Sequence, residues 1–194
     1  MQHPDRFGPL LQRARALKFE GKHDEALVIL EQILMNDPTC TEALEEVADN
    51  ELSMGHRDRA ERAARSVLAL NPQSCNAHYI MGFVYSEGEQ WLPSVEHLKK
   101  ANSLQPNDAE ILRCLGWSLF SSGQEMQGVV TIERSLNLDR DNPLTLCDLG
   151  VIYLKLHDMP KAIQLLQRAI DIDPMSDRAK ECLAMAKRIS ELSA

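Results

Sequence analysis

The sequence predicts an all-α protein built from repeated pairs of helices. Similar segments recur at a fixed interval: relative to ANSLQPNDAEILRCLG at 101–116, VLALNPQSCNAHYIMG at 67–82 lies one 34-residue period earlier and AIDIDPMSDRAKECLA at 169–184 lies two periods later. Self-similarity at this period is typical of stacked helical hairpins. The composition agrees, because a chain with 44% hydrophobic but only 5% aromatic residues suits closely packed helices better than strands.

Each repeat carries small residues where two helices would cross. Numbered from 1 to 34, the five repeats begin at Phe7, Thr41, Cys75, Ala109 and Pro143. Position 8 holds Ala14, Ala48, Gly82, Gly116 and Gly150. Position 20 holds Ala26, Ala60, Ser94, Gly128 and Ala162. Small side chains let helices approach closely, so positions 8 and 20 should face each other within a hairpin. Position 24, mostly Leu or Ile, extends an i, i+4, i+7 stripe with positions 20 and 27 that should be buried.

The ends of the predicted helices are marked by proline, capping residues and glycine. Position 32 holds Pro38, Pro72, Pro106 and Pro174, with Arg140 as the exception. Proline should stop each second helix. Position 34 supplies N-capping side chains for the next helix, namely Ser74, Asp108, Asn142 and Ser176. Position 15 holds Gly21, Gly55 and Gly123, with Glu89 and His157 in the other repeats. Glycine there can take the left-handed conformation that ends a helix.

With an aromatic at position 11 in Tyr85 and Tyr153 added to these positions, the chain resembles the tetratricopeptide repeat family over 7–174. The resemblance implies a right-handed α-α superhelix, the TPR solenoid, preceded by an N-terminal tail at 1–6 and followed by a capping helix at 175–194. By phase the repeats span 7–40, 41–74, 75–108, 109–142 and 143–176. In the capping helix, Leu183, Ala184 and Ile189 should cover the apolar end of the last repeat.

Repeat 2 departs from the family pattern. Glu51 stands at position 11 and Ala64 at position 24, where bulkier apolar groups are usual. We therefore expect this repeat to be locally less stable than the others.

The resemblance also implies a concave groove lined by positions 2, 5, 9, 12 and 13 of each first helix. Positions 2, 5, 9 and 12 are three or four residues apart and so share one helix face. The predicted groove residues are Glu42, Glu45, Asp49, Tyr79, Phe83, Arg113, Trp117, Phe120, Leu144, Val151 and Leu154. This groove would be acidic at repeat 2 and apolar, with aromatic anchors, across repeats 3 to 5. Aromatic anchors in clefts are frequent hot spots of recognition, which predicts a peptide or amphipathic-helix ligand.

Other interpretations of the same residues stay open. Trp117 and Phe120 could instead pack against neighbouring helices as core. The acidic group at repeat 2 could be an ordinary solvated helix face, with Arg15 paired to Asp49 at little net stabilisation.

One specificity of the family is not expected. Chaperone-binding members hold a peptide carboxylate with Lys and Asn at positions 5 and 9 of one repeat, Asn at position 6 of the next, and Lys and Arg at positions 2 and 6 of the third. None of the three frames that begin at repeats 1, 2 and 3 supplies this set. We therefore expect no binding of heat-shock chaperone tails.

Charge, hydropathy and cysteine usage argue against several classes of partner and several cellular locations. A net charge of -8 argues against nucleic acid and anionic membranes, which require clustered Lys and Arg. No apolar run has the length of a membrane span or a signal peptide, so we expect no membrane insertion and no export. The five cysteines include no CxxC pair, which suits reduced thiols in the cytoplasm.

The sequence shows no motif for catalysis, a metal or a cofactor. No HExxH, glycine-rich phosphate loop or nucleophile motif occurs, so we expect a chain that is not an enzyme. The first hypothesis is a cytoplasmic scaffold or adaptor that binds a protein or peptide partner in the groove. The alternatives are a self-assembling structural protein, and hence a homo-oligomer, or a non-catalytic regulatory subunit of a larger complex.

Overall fold

The computed structural model describes residues 6–192, which form eleven helices in two units that divide between Leu104 and Gln105. Unit 1 contains α1 (Gly8–Phe19), α2 (His23–Asn36), α3 (Thr41–Ser53), α4 (Arg57–Leu70), α5 (Cys75–Glu87) and α6 (Trp91–Leu104). Unit 2 contains α7 (Ala109–Ser121), α8 (Glu125–Leu138), α9 (Pro143–Lys155), α10 (Met159–Ile172) and α11 (Asp177–Leu192). The described part of the chain has no strand, which confirms the all-α prediction. Of the predicted N-terminal tail at 1–6, all but Arg6 lies outside the described residues.

The helix ends follow the capping pattern. Each predicted cap accepts a hydrogen bond from the backbone three residues on: Ser74 from Ala77 (3.1 Å), Asp108 from Ile111 (3.0 Å), Asn142 from Thr145 (3.0 Å) and Ser176 from Ala179 (3.3 Å). These bonds satisfy N–H groups that a helix leaves unpaired at its start. All four predicted caps are therefore confirmed. Helices α3, α5, α7 and α9 begin at the first residues of repeats 2 to 5, in phase with the sequence pattern.

The turn inside each hairpin passes through the left-handed region at position 15. The φ angles are 74° at Gly21, 77° at Gly55 and 89° at Gly123. Glu89 and His157 take the same conformation, with φ of 55° and 60°. The repeat thus imposes this backbone geometry even where the residue is not glycine, at a steric cost that glycine avoids.

In unit 1 each first helix packs against its second helix, and α1 and α3 also pack against the first helix of the next pair. The core consists of two clusters, one around Leu30 and Ile33 and one around Val67 and Ile80, all fully buried. Within these clusters the alanines at positions 8 and 20 are also buried, as the periodicity predicts.

At position 11, repeat 2 has a buried ion pair where repeats 3 and 5 have a tyrosine and repeats 1 and 4 a leucine. Glu51 is buried on α3, and its carboxylate lies 2.7 Å from His56 Nδ1 and 3.4 Å from Arg59 Nη1. A buried carboxylate requires such partners, because leaving it unpaired would cost several kcal/mol. Glu51 therefore has partners for its charge, which the sequence pattern alone did not indicate.

In unit 2 helices α7 and α8 approach each other closely where both small positions, Gly116 and Gly128, are glycine. A Cβ placed on Gly128 would lie 2.6 Å from the Phe120 backbone nitrogen and 2.8 Å from the Gly116 carbonyl oxygen. No side chain fits between the two backbones at this crossing. The core of unit 2 continues from here through α9 and α10 to α11.

Helix α11 packs on α10 and α9 and buries Ala179, Leu183 and Ala186. Ile189 packs against the same core, as predicted. The prediction for Ala184 was wrong, because this residue is exposed. The buried stripe follows the spacing i, i+4, i+7 from Ala179, and Ala184 lies off that stripe.

A pair of histidines predicts a pH dependence for unit 1. The Nδ1 atoms of His78 on α5 and His97 on α6 lie 3.0 Å apart, and the Tyr85 ring packs against His97. Burial lowers the pKa of His97, and the neighbouring His78 lowers it further, while Glu96 opposes both. The folded chain therefore takes up a proton at His97 less readily than the unfolded chain, whose histidines titrate near a pKa of about 6.5. Stability is retained above about pH 6.5 and lost as the pH falls below it.

We expect the urea midpoint of the wild type to fall between about pH 7.5 and pH 5.5 by more than that of His97→Gln. Comparison with the variant separates this effect from the titration of carboxylates that both proteins share. Equal falls in the two proteins would exclude the pair as the source.

Candidate peptide-binding surfaces

The predicted acidic group of unit 1 is paired with cations of α1. Lys18 Nζ lies 2.5 Å from Asp49 Oδ2 and 3.0 Å from Glu46 Oε2. Arg15 Nε lies 2.5 Å from Glu46 Oε1, so the expected pair of Arg15 with Asp49 was wrong. Lys18, one turn further along α1, reaches Asp49 instead. Burial alone would lower the pKa of Lys18, but its hydrogen bonds to Asp49 and Glu46 raise it.

The other predicted residues of unit 1 are partly engaged. Glu45 accepts a hydrogen bond from the Ser74 hydroxyl, and Glu42 is exposed and accepts one from Thr41 Oγ1 at 3.3 Å. Tyr79 and Phe83 are half-buried on α5, with ring centroids 6.2 Å apart. Most of the predicted acidic side chains of unit 1 therefore already have ion-pair or hydrogen-bond partners. The predicted aromatic side chains of unit 1 are the single pair Tyr79 and Phe83.

Neither of two cavities in unit 1 is lined by the predicted aromatic side chains Tyr79 and Phe83. The first, about 640 Å³, lies between the start of α1 and the α2–α3 junction, where Arg6, Arg15, Asp37 and Glu42 line it. The second, about 600 Å³, lies at the start of α4. The first cavity is bordered by Glu42 and by the residues at groove positions 2, 5 and 9 of repeat 1, namely Gly8, Leu11 and Arg15.

In unit 2 a buried carboxylate joins three helices. Asp148 of α9 is only 2% exposed, with Oδ2 2.6 Å from Arg113 Nη1 on α7 and Oδ1 2.7 Å from Arg178 Nη1 on α11. Arg113 also binds both carboxylate oxygens of Glu110, at 2.9 and 2.6 Å. Burial by itself lowers the pKa of Arg113, but the bonds to Glu110 and the charge of Asp148 raise it above the ordinary value. This network fixes the positions of both guanidinium groups.

Trp117 lies one turn from Arg113 on α7 and contacts two cations. Arg178 Cζ lies 5.2 Å from the centre of the indole ring, and Lys155 Nζ lies 5.3 Å from it. Both distances are within the range of a cation–π interaction. The ring itself is partly buried and packs against the core of unit 2.

The remaining predicted residues of unit 2 divide into core and surface. Phe120, Val151 and Leu154 are each 8% exposed and belong to the core cluster that includes Leu183 of α11. The structure therefore favours the core interpretation for Phe120, and these three side chains offer a ligand little area. Leu144, at the start of α9, is 55% exposed. Of the apolar groove residues predicted in unit 2, Trp117 and Leu144 are the ones that remain accessible.

Arg178 is the residue that the sequence analysis missed. Continuing the 34-residue phase past the fifth repeat places Arg178 at position 2, on a helix that takes the place of a sixth first helix. The clamp frame that begins at repeat 4 then contains Arg113 at position 5, Trp117 at position 9, Asp148 at position 6 and Arg178 at position 2. In this frame a carboxylate of the chain itself already binds the two arginines.

Other kinds of site find no support among residues 6–192. No helix there combines the length and apolar character needed to cross a bilayer. No three His, Cys, Asp or Glu side chains of that range converge as metal ligands.

Comparison with known proteins identifies the repeat. Residues 143–176 match the tetratricopeptide repeat family. The chain is 21% identical over 161 residues to anaphase-promoting complex subunit 3 of Schizosaccharomyces pombe (strain 972 / ATCC 24843), covering 83% of this chain and 24% of that protein. It therefore spans about a quarter of the length of this relative.

Solved structures share the fold at low identity. The APC/C hetero-tetramer Cut9–Hcn1 matches with a TM-score of 0.84 at 19% identity, over 97% of this chain and 38% of the other. YrrB, described as a TPR protein with an unusual peptide-binding site, matches with a TM-score of 0.68 at 20% identity, over 93% of each chain. Together with the helix pairs, capping residues and 34-residue spacing, these matches show that the chain has the tetratricopeptide repeat fold.

Proposed function

We propose that the chain is a non-catalytic scaffold or adaptor that binds a peptide segment of a partner protein on its first helices. The observation that carries the proposal is the surface of unit 2 at Trp117 and Leu144. There an aromatic ring and an accessible leucine lie beside side chains that Asp148 holds in place. Pre-positioned side chains lose little freedom on binding, which favours affinity.

The relatives support an interaction role. One is a subunit of the anaphase-promoting complex, and one structural neighbour is described by its peptide-binding site. In the tetratricopeptide repeat fold the function lies in the surface residues rather than in the fold itself. The surface residues of this chain, and not its fold, therefore determine which partner it binds.

The charge and the cysteines support the remaining parts of the proposal. A net charge of -8 favours a protein partner over nucleic acid or an anionic membrane. Burial raises the pKa of the Cys147 thiol to about 11 and raises that of Cys114 further, so neither is poised as a nucleophile. All five cysteines are free, which suits the reducing cytoplasm.

A second candidate is self-association or a place as a regulatory subunit in a larger assembly. Met126 and Val130, one turn apart on α8, are 77% and 60% exposed. Exposed apolar pairs on a regular helix are often covered by another protein surface. Light scattering over a concentration series separates self-association from binding to a different protein. A chain that stays monomeric at high concentration does not self-associate, which leaves binding to a different protein.

Capture of partners from the source cell tests the first candidate. Immobilised Trp117→Ala/Leu144→Ala should recover at least tenfold less of the partner than the wild type. Each large apolar side chain contributes about 1.5–3 kcal/mol when buried, and 1.4 kcal/mol is a factor of ten in affinity.

The matched control is Met126→Ala/Val130→Ala, which removes exposed apolar groups from the second helix α8. This variant should recover the partner at the wild-type level, and circular dichroism should show equal helix content in all three proteins. If only the α8 variant failed to recover the partner, the interaction surface would lie on α8 and not on the first helices.

A further inference from the structure

The surface around Trp117 carries positive charge within an acidic protein. Lys155 and Arg178 both contact the indole ring, and Lys155 Nζ also lies 6.0 Å from the centre of the Phe120 ring. Aromatic rings that hold cations in place keep those charges at a fixed site. Trp117, Leu144, Lys155 and Arg178 are named here the Trp117 site.

Both cations of the Trp117 site have capacity for a ligand. Half of the Arg178 side chain is exposed, and its bond to Asp148 uses one of the five N–H donors of a guanidinium. Lys155 is exposed and forms no ion pair within the part of the chain that the structure describes. Glu181, one turn after Arg178 on α11, also forms no ion pair with any described residue.

The carboxylates nearby pair with Arg178 through one N–H donor only and leave Lys155 without an ion pair among the described residues. Both oxygens of Asp148 are occupied, one by Arg178 and the other by Arg113. Glu110 is held by Arg113. These two carboxylates are thus bound by Arg113 and Arg178, which leaves Lys155 and the remaining N–H donors of Arg178 without a carboxylate partner among the described residues.

The spacing on α9 places an apolar group on the same face as these charges. Leu144, Asp148, Val151 and Lys155 follow one another at intervals of four, three and four residues, so they share one side of the helix. Leu144 therefore lies on the face that carries the buried carboxylate and ends at Lys155. A ligand along this face would meet an apolar contact and cations together.

We propose that the Trp117 site binds an acidic peptide segment, with Asp or Glu side chains of the ligand on Lys155 and Arg178, one apolar side chain against Trp117 and another against Leu144. The proposal rests on the proposed peptide-binding function and adds the chemistry of the ligand. Charge complementarity selects this occupant, because a basic or neutral segment would leave Lys155 and the remaining N–H donors of Arg178 without a partner.

Fluorescence of Trp117 provides the test. The chain has two tryptophans, and Trp91→Phe leaves Trp117 as the single reporter. The probes are three acetylated and amidated nine-residue peptides: EELEELEEL, and the same peptide with Gln or with Lys in place of every Glu. Blocked termini ensure that only side-chain charges differ. The Glu peptide should bind at least tenfold more tightly than the Gln peptide, and the Lys peptide should not bind.

Charge reversal on the protein completes the test. Lys155→Glu should weaken binding of the Glu peptide at least tenfold. Lys187→Glu makes the same change on α11 nine residues after Arg178, half a turn away on the helix surface, and should leave binding unchanged. Since Lys155 has no ion pair to lose among the described residues, its replacement should not unfold the chain.

Each contrary outcome has a defined meaning. Equal affinity for the Glu and Gln peptides would overturn the acidic preference, while partner capture through Trp117 and Leu144 would stand. Equal effects of Lys155→Glu and Lys187→Glu, or no binding of any of the three peptides, would also overturn it. Failure of the proposed function would appear instead as unchanged partner recovery by Trp117→Ala/Leu144→Ala.

Discussion

Asp148→Ala is expected to lower the free energy of unfolding by about 3–5 kcal/mol, because it leaves buried positive charge without its partner. The side chain of Arg113 is only 13% exposed and would lose the bond to Asp148 Oδ2. Arg178 would lose its bond to Oδ1 in the same change. A single substitution thus removes the link between α7, α9 and α11.

Asp141→Ala provides the matched control for this change. Asp141 also binds an arginine, with Arg168 Nη2 at 2.6 Å, but its side chain is 77% exposed. Exposed ion pairs of this kind contribute about 0–1 kcal/mol. Urea unfolding followed by circular dichroism should show the large loss for Asp148→Ala alone. Similar losses in both variants would mean that the network contributes no more than a surface pair.

Gly128→Ala is expected to destabilise the chain by about 1–3 kcal/mol, the usual cost of overpacking, although alanine is the better helix former. The new Cβ would meet backbone atoms of α7 at 2.6 and 2.8 Å, and backbone cannot turn away as a side chain can. The helices must therefore separate to admit it. The crossing of α7 and α8 thus depends on glycine at both positions.

Gly88→Ala tests whether the effect comes from the crossing rather than from loss of glycine in general. Gly88 has a φ of -87°, and an added Cβ would find its nearest neighbour, Gln90 Nε2, at 3.5 Å. Urea midpoints should fall for Gly128→Ala and stay near the wild type for Gly88→Ala. If the two variants unfold at the same midpoint, the close approach of α7 and α8 is not limiting.

The helix pairs could be predicted from the sequence because their requirements are local and recur in every repeat. A left-handed residue at position 15 and a cap at position 34 depend on the backbone of a few neighbouring residues, and each leaves a mark in most of the repeats. Even Glu89 and His157 follow the rule, since the same turn has to close in their repeats.

The candidate site was less predictable, because it depends on which side chain reaches across to which helix. Position 9 predicted an exposed Val151, but α11 packs over the last repeat and leaves this residue 8% exposed. The pairing of Arg15 with Glu46 rather than Asp49 was decided by Lys18, another cation within reach of the same acids. Arg178 could have been found by extending the repeat phase into the capping helix.

The proposed binding surface is tested most directly by mapping where a bound partner contacts unit 2. The wild-type chain, labelled at its methyl groups and indole nitrogens, would be titrated with the segment of the captured partner and followed by NMR. We expect shifts of the Leu144 methyl groups and the Trp117 indole N–H, with Val130 on α8 unchanged. Shifts at Val130 with Leu144 and Trp117 unchanged would contradict it.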